Sequence, residues 1–369
     1  MGLPEPYLRK FSEPPGFMDH ASISPVSQRV RRAVADSMAG VAAPKGKIGS
    51  AVVGAYEKAL AGMARFVGTR PERVTVTPST SAGIFATAFG MLGADGNVVV
   101  AAHDFPGVIY PFLRAETVGG PEVRLVDVPE RRLTPDAIAA AIDAHTRAIA
   151  ISTVDFRTGF RVDVEQVREV APGAILLVDA IQSLGALRTT LGSADVLVAA
   201  GHKWMRAGFG GGVLAVSDRA LDLLEPTLTG WWGVEDAFDF DAPPPHEERL
   251  DAERLHMGAP PHFGAEAFAA AIEVIDIAGI DLIETAVRDN AHVAEDVLRV
   301  AGALVDTPWR TEAERGGIVS FRMPDEDPAV THARLLEAGV ICTRYGQAVR
   351  LAPHATTGAR SFELLAEAL

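Results

Sequence analysis

The sequence predicts an α/β protein built on a mainly parallel sheet with crossover helices. Three observations carry this expectation. Apolar runs at 97–101, 148–152, 174–178 and 194–200 have strand length and no polar alternation, as strands buried on both faces do. Helical stretches at 134–144 and 163–170 separate them. The chain of 369 residues is 48% hydrophobic, enough for a large core and for two domains.

Taken in order, helices over 27–43 and 54–67 flank Pro44-Lys-Gly-Lys-Ile-Gly49, a loop by its Pro and Gly content. A strand at 74–77 leads into Ser79-Thr-Ser-Ala-Gly83 and a small-residue helix from Ala82. Strands are expected at 97–101, 123–128, 148–152, 174–178 and 194–200, and Gly210-Gly-Gly-Val-Leu-Ala-Val216 adds one more. Alternation of strands and helices argues for parallel pairing. Composition changes near 235–261, where Asp239-Phe-Asp-Ala-Pro-Pro-Pro245 and Ala259-Pro-Pro261 are loop-like. Helices at 263–278 and 281–300 follow, then strand, helix, strand, helix, with strands at 318–321 and 349–351. The expected division is a large domain over 16–250 and a smaller α/β domain over 251–369 that takes in 1–15.

Composition narrows the function. The 34 basic and 48 acidic residues leave a net charge of −14, which argues against nucleic acid and anionic membranes as partners. No apolar stretch reaches the length of a membrane span. Met1-Gly-Leu-Pro-Glu-Pro lacks a basic region followed by an apolar one, which argues against a secretory leader. The lone cysteine, Cys342, permits no internal disulfide and suits a cytoplasmic protein. Gly208-Phe-Gly-Gly-Gly212 precedes a strand rather than a helix, so it is no dinucleotide site, and the 40–47 stretch lacks P-loop spacing. One cysteine cannot build a zinc site of the usual spacing.

The chemistry concentrates at two strand ends. The run at 174–178 ends in Asp179-Ala-Ile-Gln182, and the run at 194–200 ends in Gly201-His202-Lys203-Trp204. Ligands of open α/β sheets bind beyond the carboxyl ends of the strands. Alone, such a Lys reads as a solvated charge and such an Asp as a helix cap. Together they suit pyridoxal 5'-phosphate (PLP). The Lys forms a Schiff base, and the Asp keeps the pyridine nitrogen protonated so that the ring accepts electrons.

Val178-Asp-Ala-Ile-Gln-Ser-Leu-Gly185 and His202-Lys203-Trp204-Met205 resemble the PLP-dependent class V aminotransferase family, and the resemblance runs from about Asp19 to the C-terminus. It implies a fold-type-I PLP enzyme, with a seven-stranded sheet in the large domain and PLP as cofactor. It also implies a homodimer with active sites at the interface, and 259–261 and 46–49 are candidate partner contacts. Lys203 and Asp179 are then the catalytic pair. Thr80 and Ser81 match the phosphate-binding turn, although Thr80 also reads as a plain N-cap. His202 is placed to touch the phosphate. Phe105, within Asp104-Phe105-Pro106-Gly107, takes the position that stacks on the pyridine ring, and Gln182 the position that donates to the ring 3'-oxygen. Arg350, before Leu351-Ala-Pro-His354, resembles the Arg that forks onto a substrate α-carboxylate, with Arg344 and Arg157 as weaker candidates. His20, in Asp19-His20-Ala21, is either a polar wall of the substrate site or a loop residue.

The chain departs from the family at three places. Ala200 stands where members often carry a phosphate-binding Ser, and Ala259 where many carry a Thr that reaches a phosphate across the dimer. Cysteine desulfurases need a nucleophilic Cys on a loop before the carboxylate Arg. The interval Arg344-Tyr-Gly-Gln-Ala-Val-Arg350 is short and Cys-free, and Cys342 sits on an apparent buried strand at 340–342. The favoured expectation is an aminotransferase or a closely related enzyme acting on a small amino acid. The rivals are a carbon–sulfur β-lyase, a kynureninase-like hydrolase, and a PLP-fold protein that binds without catalysis.

Overall fold

The computed structural model describes residues 2–45 and 48–369, and the side chains of all of these except 48–52. The expected loop and partner contact at Gly46 and Lys47 lie outside the described residues; Ile48 already opens the helix Ile48–Phe66, earlier than expected.

Seven strands form the large sheet: β1 (Val74–Thr77), β2 (Asn97–Ala101), β3 (Glu122–Val126), β4 (Thr146–Ser152), β5 (Ile175–Asp179), β6 (Val196–Ala200) and β7 (Gly212–Val216). Their order is β1-β7-β6-β5-β4-β2-β3. Pairing is parallel from β3 through to β6, and β7 runs against both β6 and β1. The carboxyl ends of β1, β2, β4, β5 and β6 therefore share one edge, and the candidate residues collect there.

Alternation within strands splits the core into two faces. On β5, Leu176 and Val178 join one apolar cluster while Ile175 and Leu177 join the other. The second cluster holds the helices Thr80–Phe89 and Pro106–Glu116, and the same parity aims Asp179 toward that side. The helix Pro106–Glu116 is hard to read in the sequence because Pro111 interrupts it; Pro106 opens it, where a missing N–H costs nothing. Thr80–Phe89 begins two residues before the expected Ala82, since Ser79 accepts from Ala82 N and serves as the cap.

The smaller sheet comprises β8 (Leu304–Val305), β9 (Val319–Arg322), β10 (Thr343–Tyr345) and β11 (Ala348–Leu351). It is antiparallel, in the order β10-β11-β9-β8. The helices Ile280–Val300, Pro328–Glu337 and Ala359–Ala368 contribute to its separate core. Residues 340–342 are not a strand: Ile341 makes one bridge to Phe17, and β10 starts after Cys342. No helix among the described residues is long and apolar enough to cross a membrane.

The glycine run 208–212 has a packing role. A Cβ on Gly264, in the helix His262–Ala278, would stand 1.9 Å from the carbonyl oxygen of Gly210. This close approach seats that helix on the turn after Lys203. Gly264→Ala should therefore lower stability by about 1–3 kcal/mol through overpacking. Thermal unfolding of the variant measures this, and an unchanged midpoint would show that the helix does not sit so close.

Candidate active site

Lys203 lies in the turn after β6. That turn is tied down by Gly201 N donating to Gly211 O, Arg206 N to Lys203 O, and Ala207 N to Gly201 O. The Lys203 side chain is 8% exposed, and its Nζ lies 5.4 Å from the centroid of the Phe105 ring. Burial pulls the amine down to about 8; Asp179 and Asp19 oppose this, and Arg350 adds to it. Asp179, at the end of β5, is pushed upward by burial and by the Asp104 carboxylate, and Lys203 pulls it back. Among the described residues its carboxylate has one donor, Ile181 N at 2.9 Å on Oδ1. Oδ2 is thus available to a ring N–H.

Phe105 starts the helix Pro106–Glu116 and packs edge-on against Phe156 at 5.3 Å. A Cβ on Gly107 would stand 3.1 Å from the Phe105 ring and 3.2 Å from Ser81 Oγ, so a side chain there would crowd both. Asp104 fixes this loop to β4. It accepts from Phe105 N at 2.6 Å, Ser152 Oγ at 2.6 Å and Ser152 N at 3.0 Å. Ser152 is the register partner of Asp179. The sequence reading left Asp104 without a role, although it adjoins Phe105.

At the helix start, Thr80 Oγ1 accepts from Ala200 N at 2.9 Å. Thr80 is the first helical residue and Ser79 the cap, so the N-cap alternative for Thr80 is set aside. Its hydroxyl proton remains free to donate. Thr77 Oγ1, at the end of β1, is buried without a partner and would lie 3.2 Å from a Cβ on Gly212. It is a hydroxyl two strands from Ala200, across Gly212 of β7, that sequence reasoning missed. His202 stacks on Phe209 at 4.7 Å, and burial and Lys203 lower it to about 4. Ala259 is exposed. Gln182 donates from Nε2 to Ala21 O at 3.0 Å and accepts on Oε1 from Trp204 Nε1 at 2.9 Å, leaving one N–H.

Arg350, on β11, is 1% exposed. Its Nη1 donates to Phe156 O at 2.7 Å, and its Nη2 to Asp19 Oδ1 at 3.0 Å and Ser22 Oγ at 2.6 Å. Its Nε–H is buried without a partner. The N-terminal segment thus covers the guanidinium, a contact across 331 positions that no local motif announces. Arg344 is exposed and donates to Gly346 O, and Arg157 is exposed over the Phe156 ring. His20 is fully buried and shares a hydrogen bond of 2.9 Å between Nδ1 and Ser24 Oγ; burial and the neighbouring His354 and Arg206 keep it neutral.

A cleft of about 790 Å³ is lined in part by Thr153, Val178 and Ser183 and does not include Lys203. Arg132, Arg161, Arg188 and Arg288 on its walls are already paired with Glu314, Glu284, Asp281 and Glu284. Among the described residues no group of His, Cys, Asp and Glu could hold a metal ion.

A seven-stranded sheet with a buried Lys and Asp at adjacent strand ends defines a fold-type-I PLP enzyme. The chain belongs to the family described as aminotransferase class-V, whose model matches residues 17–362, and that family is PLP-dependent. Kynureninase of Deinococcus radiodurans is 28% identical over 304 residues, 77% of this chain and 70% of that protein. An uncharacterized aminotransferase of Bacillus subtilis is 26% identical over 367 residues, 95% of this chain and 93% of that protein. The apo structure of a cysteine desulfurase from Thermococcus onnurineus superposes with a TM-score of 0.88 at 22% identity, covering 100% of this chain and 97% of that one, a likeness of fold.

The residues present fit PLP: an amine, a carboxylate with a free oxygen, a facing aromatic ring, the Thr80 hydroxyl at a helix start and an unpartnered Thr77 hydroxyl at the end of β1. Only the neutral amine attacks an aldehyde. Because burial lowers Lys203 from 10.5 to about 8, PLP uptake by the apo protein should accelerate up to about pH 8 and then level off. Stopped-flow absorbance across pH 6–10 checks this; a rate still rising about tenfold per unit above pH 9 would mean an ordinary lysine.

Proposed function

We propose that this protein uses PLP to act on a small α-amino acid, with amino transfer as the favoured reaction. The observation that carries the reading is the buried Lys203 amine of lowered basicity, 5.4 Å from the centroid of the Phe105 ring and within electrostatic reach of the Asp179 carboxylate. Bound PLP supplies an electron sink for the bond that breaks at the substrate α-carbon. With PLP bound, Lys203 would hold its aldehyde, and the Lys203 Nζ would serve as the base that removes the substrate α-proton and the acid that returns it. Asp179 holds the proton of the ring nitrogen, and Phe105 covers one ring face. Thr80, Ser81, His202 and Thr77 are the phosphate donors, Thr77 standing in for the hydroxyl missing at Ala200. Gln182 donates its remaining N–H to the ring 3'-oxygen.

Arg350 is proposed as the α-carboxylate anchor, through its unpartnered Nε–H and a guanidinium shared with Asp19. His20 is proposed as a wall of that site, reached through its own unpartnered Nε2. The proposed assembly is a homodimer. An exposed aromatic group, Trp231, Phe238 and the 81% exposed Phe240, supports a face covered by a second copy.

The near end-to-end overlap with the Bacillus subtilis aminotransferase favours amino transfer. Hydrolysis of a kynurenine-like side chain is the second reading, favoured by Asp104-Phe105-Pro106 and by the Deinococcus relative. Persulfide chemistry is disfavoured. The interval before Arg350 is a tight hairpin of β10 and β11, and burial pushes the Cys342 thiol up to about 12. The deciding experiment screens amino acids for a change in the visible band, with keto acid, pyruvate and ammonia assayed in parallel. A protein that binds PLP but turns over none of them would leave only the binding-protein reading.

Two outcomes test the residue assignments. Free amino acids should react about 10- to 10²-fold better than their α-amides, since the amide loses the negative charge and one acceptor oxygen at the guanidinium. Equal rates would remove Arg350 as the anchor and turn attention to Arg157 and Arg344. Cys342→Ala should keep full turnover, because a protonated, packed thiol does not attack. Loss of turnover in a folded, PLP-loaded variant would reopen the desulfurase reading.

A further inference from the structure

Gln182 has an amide whose orientation is over-determined. A carboxamide fits its density of neighbours in two ways, related by a half-turn that exchanges oxygen and nitrogen. The indole N–H of Trp204 is only a donor, so it requires Oε1, and it meets that atom at 2.9 Å. The Ala21 carbonyl is only an acceptor, so it requires Nε2, and it meets that atom at 3.0 Å. The flipped amide would set N–H against N–H and oxygen against oxygen. Gln182 is 3% exposed and Trp204 2%, so water cannot replace either partner.

Trp204 is itself held in place. Its ring packs against those of His20 and His354, at 6.3 and 6.0 Å and interplanar angles of 29° and 26°, and the two imidazoles touch each other at 4.9 Å. Both imidazoles are neutral, as burial lowers His354 to about 3 and His20 well below its ordinary value. Trp204 also follows Lys203 directly, so the turn that presents the amine presents the indole.

We propose that Trp204 is a positioning residue whose indole N–H, by occupying Gln182 Oε1, makes Gln182 present an N–H and not a carbonyl oxygen to the anionic ring oxygen of bound PLP. The inference rests on the PLP reading of the site given above. It adds a division of labour. Ala21 O takes one hydrogen of the Gln182 amide, Trp204 takes the oxygen, and the second hydrogen is left for the cofactor. Without the indole N–H, Oε1 loses its partner and the amide is free to turn its oxygen toward an anion, which repels it.

The test is a double-mutant cycle read as the dissociation constant of PLP from the apo protein, by titration of the visible band. Trp204→Phe keeps the aromatic stack and removes the donor, and should weaken PLP by about 3- to 10-fold, the size of one neutral hydrogen bond. Gln182→Ala should weaken it at least as much. Trp204→Phe should then cost nothing further in the Gln182→Ala background, because the indole acts only through the amide. The same loss with and without Gln182 would mean that Trp204 merely packs, and an unchanged constant in Trp204→Phe would mean that it has no role; either overturns the proposal. If Trp204→Phe does not fold, benzothienylalanine at position 204 keeps the indole shape without the N–H and gives the same readout. Wild-type protein that shows no visible band with PLP would overturn the cofactor reading itself, a result distinct from a loaded wild type with an unaffected Trp204 variant.

Discussion

An amine enclosed to 8% exposure is the constraint on which the architecture turns. Burial of an ammonium group is unfavourable by several kcal/mol unless charges compensate it. The sheet supplies that compensation by direction. Parallel strands β5 and β6 end side by side, so Asp179 and the Lys203 turn face the same space. The amine remains less basic than usual, and Asp179 more basic than usual, because neither is fully neutralised by the other. Buried groups shifted by desolvation and by a specific charged neighbour concentrate at functional sites.

The second constraint is closure by the N-terminal segment. Met18 N donates to Ile341 O and Ala352 N to Met18 O, which threads the segment along the small sheet. From there Asp19 and Ser22 reach Arg350, Ala21 O reaches Gln182, and Ser24 N reaches His202 O. Arg206, 2% exposed, completes the clamp. It donates to Glu13, Pro25 O and Thr356 while lying 3.8 Å above the Phe11 ring. One short stretch thus binds the lysine turn, the amide beside it and the small sheet into one unit. In the proposed anchoring, a substrate carboxylate at Arg350 would share the guanidinium with Asp19, which would couple substrate binding to the seating of this segment.

Departures from the family pattern look different at atomic scale. Ala200 leaves no hydroxyl, yet its N–H is satisfied by Thr80 and a buried Thr77 hydroxyl stands nearby without a partner. An unsatisfied buried hydroxyl costs free energy, which a phosphate oxygen at that helix start would recover. Cys342 is placed one residue before a hairpin strand and buried, so the short interval to Arg350 reflects a turn rather than a lost catalytic loop.

The sequence by itself determined most of the sheet and which residues stand at the strand ends where the candidate site lies. Apolar runs of strand length announced β2 and β4 to β7, because strands buried on both faces carry no polar alternation, whereas β3 at the sheet edge alternates polar and apolar residues and is partly exposed. Lys203 and Asp179 were legible because each sits at the end of such a run, where the chain direction fixes which edge it reaches. Phe105, Thr80 and Arg350 were legible through motifs. Only the tertiary structure decided what those residues touch. The cover on Arg350 comes from Asp19, the lock on Gln182 from Ala21 and Trp204, and the anchor of Phe105 through Asp104 from Ser152. The last residue of β4, the N-terminal segment and the small sheet meet at distances of a few ångströms across tens to hundreds of positions. Periodicity and local motifs report the chemistry of neighbours along the chain, whereas these contacts depend on how separate layers pack, and packing is specified by the whole sequence at once.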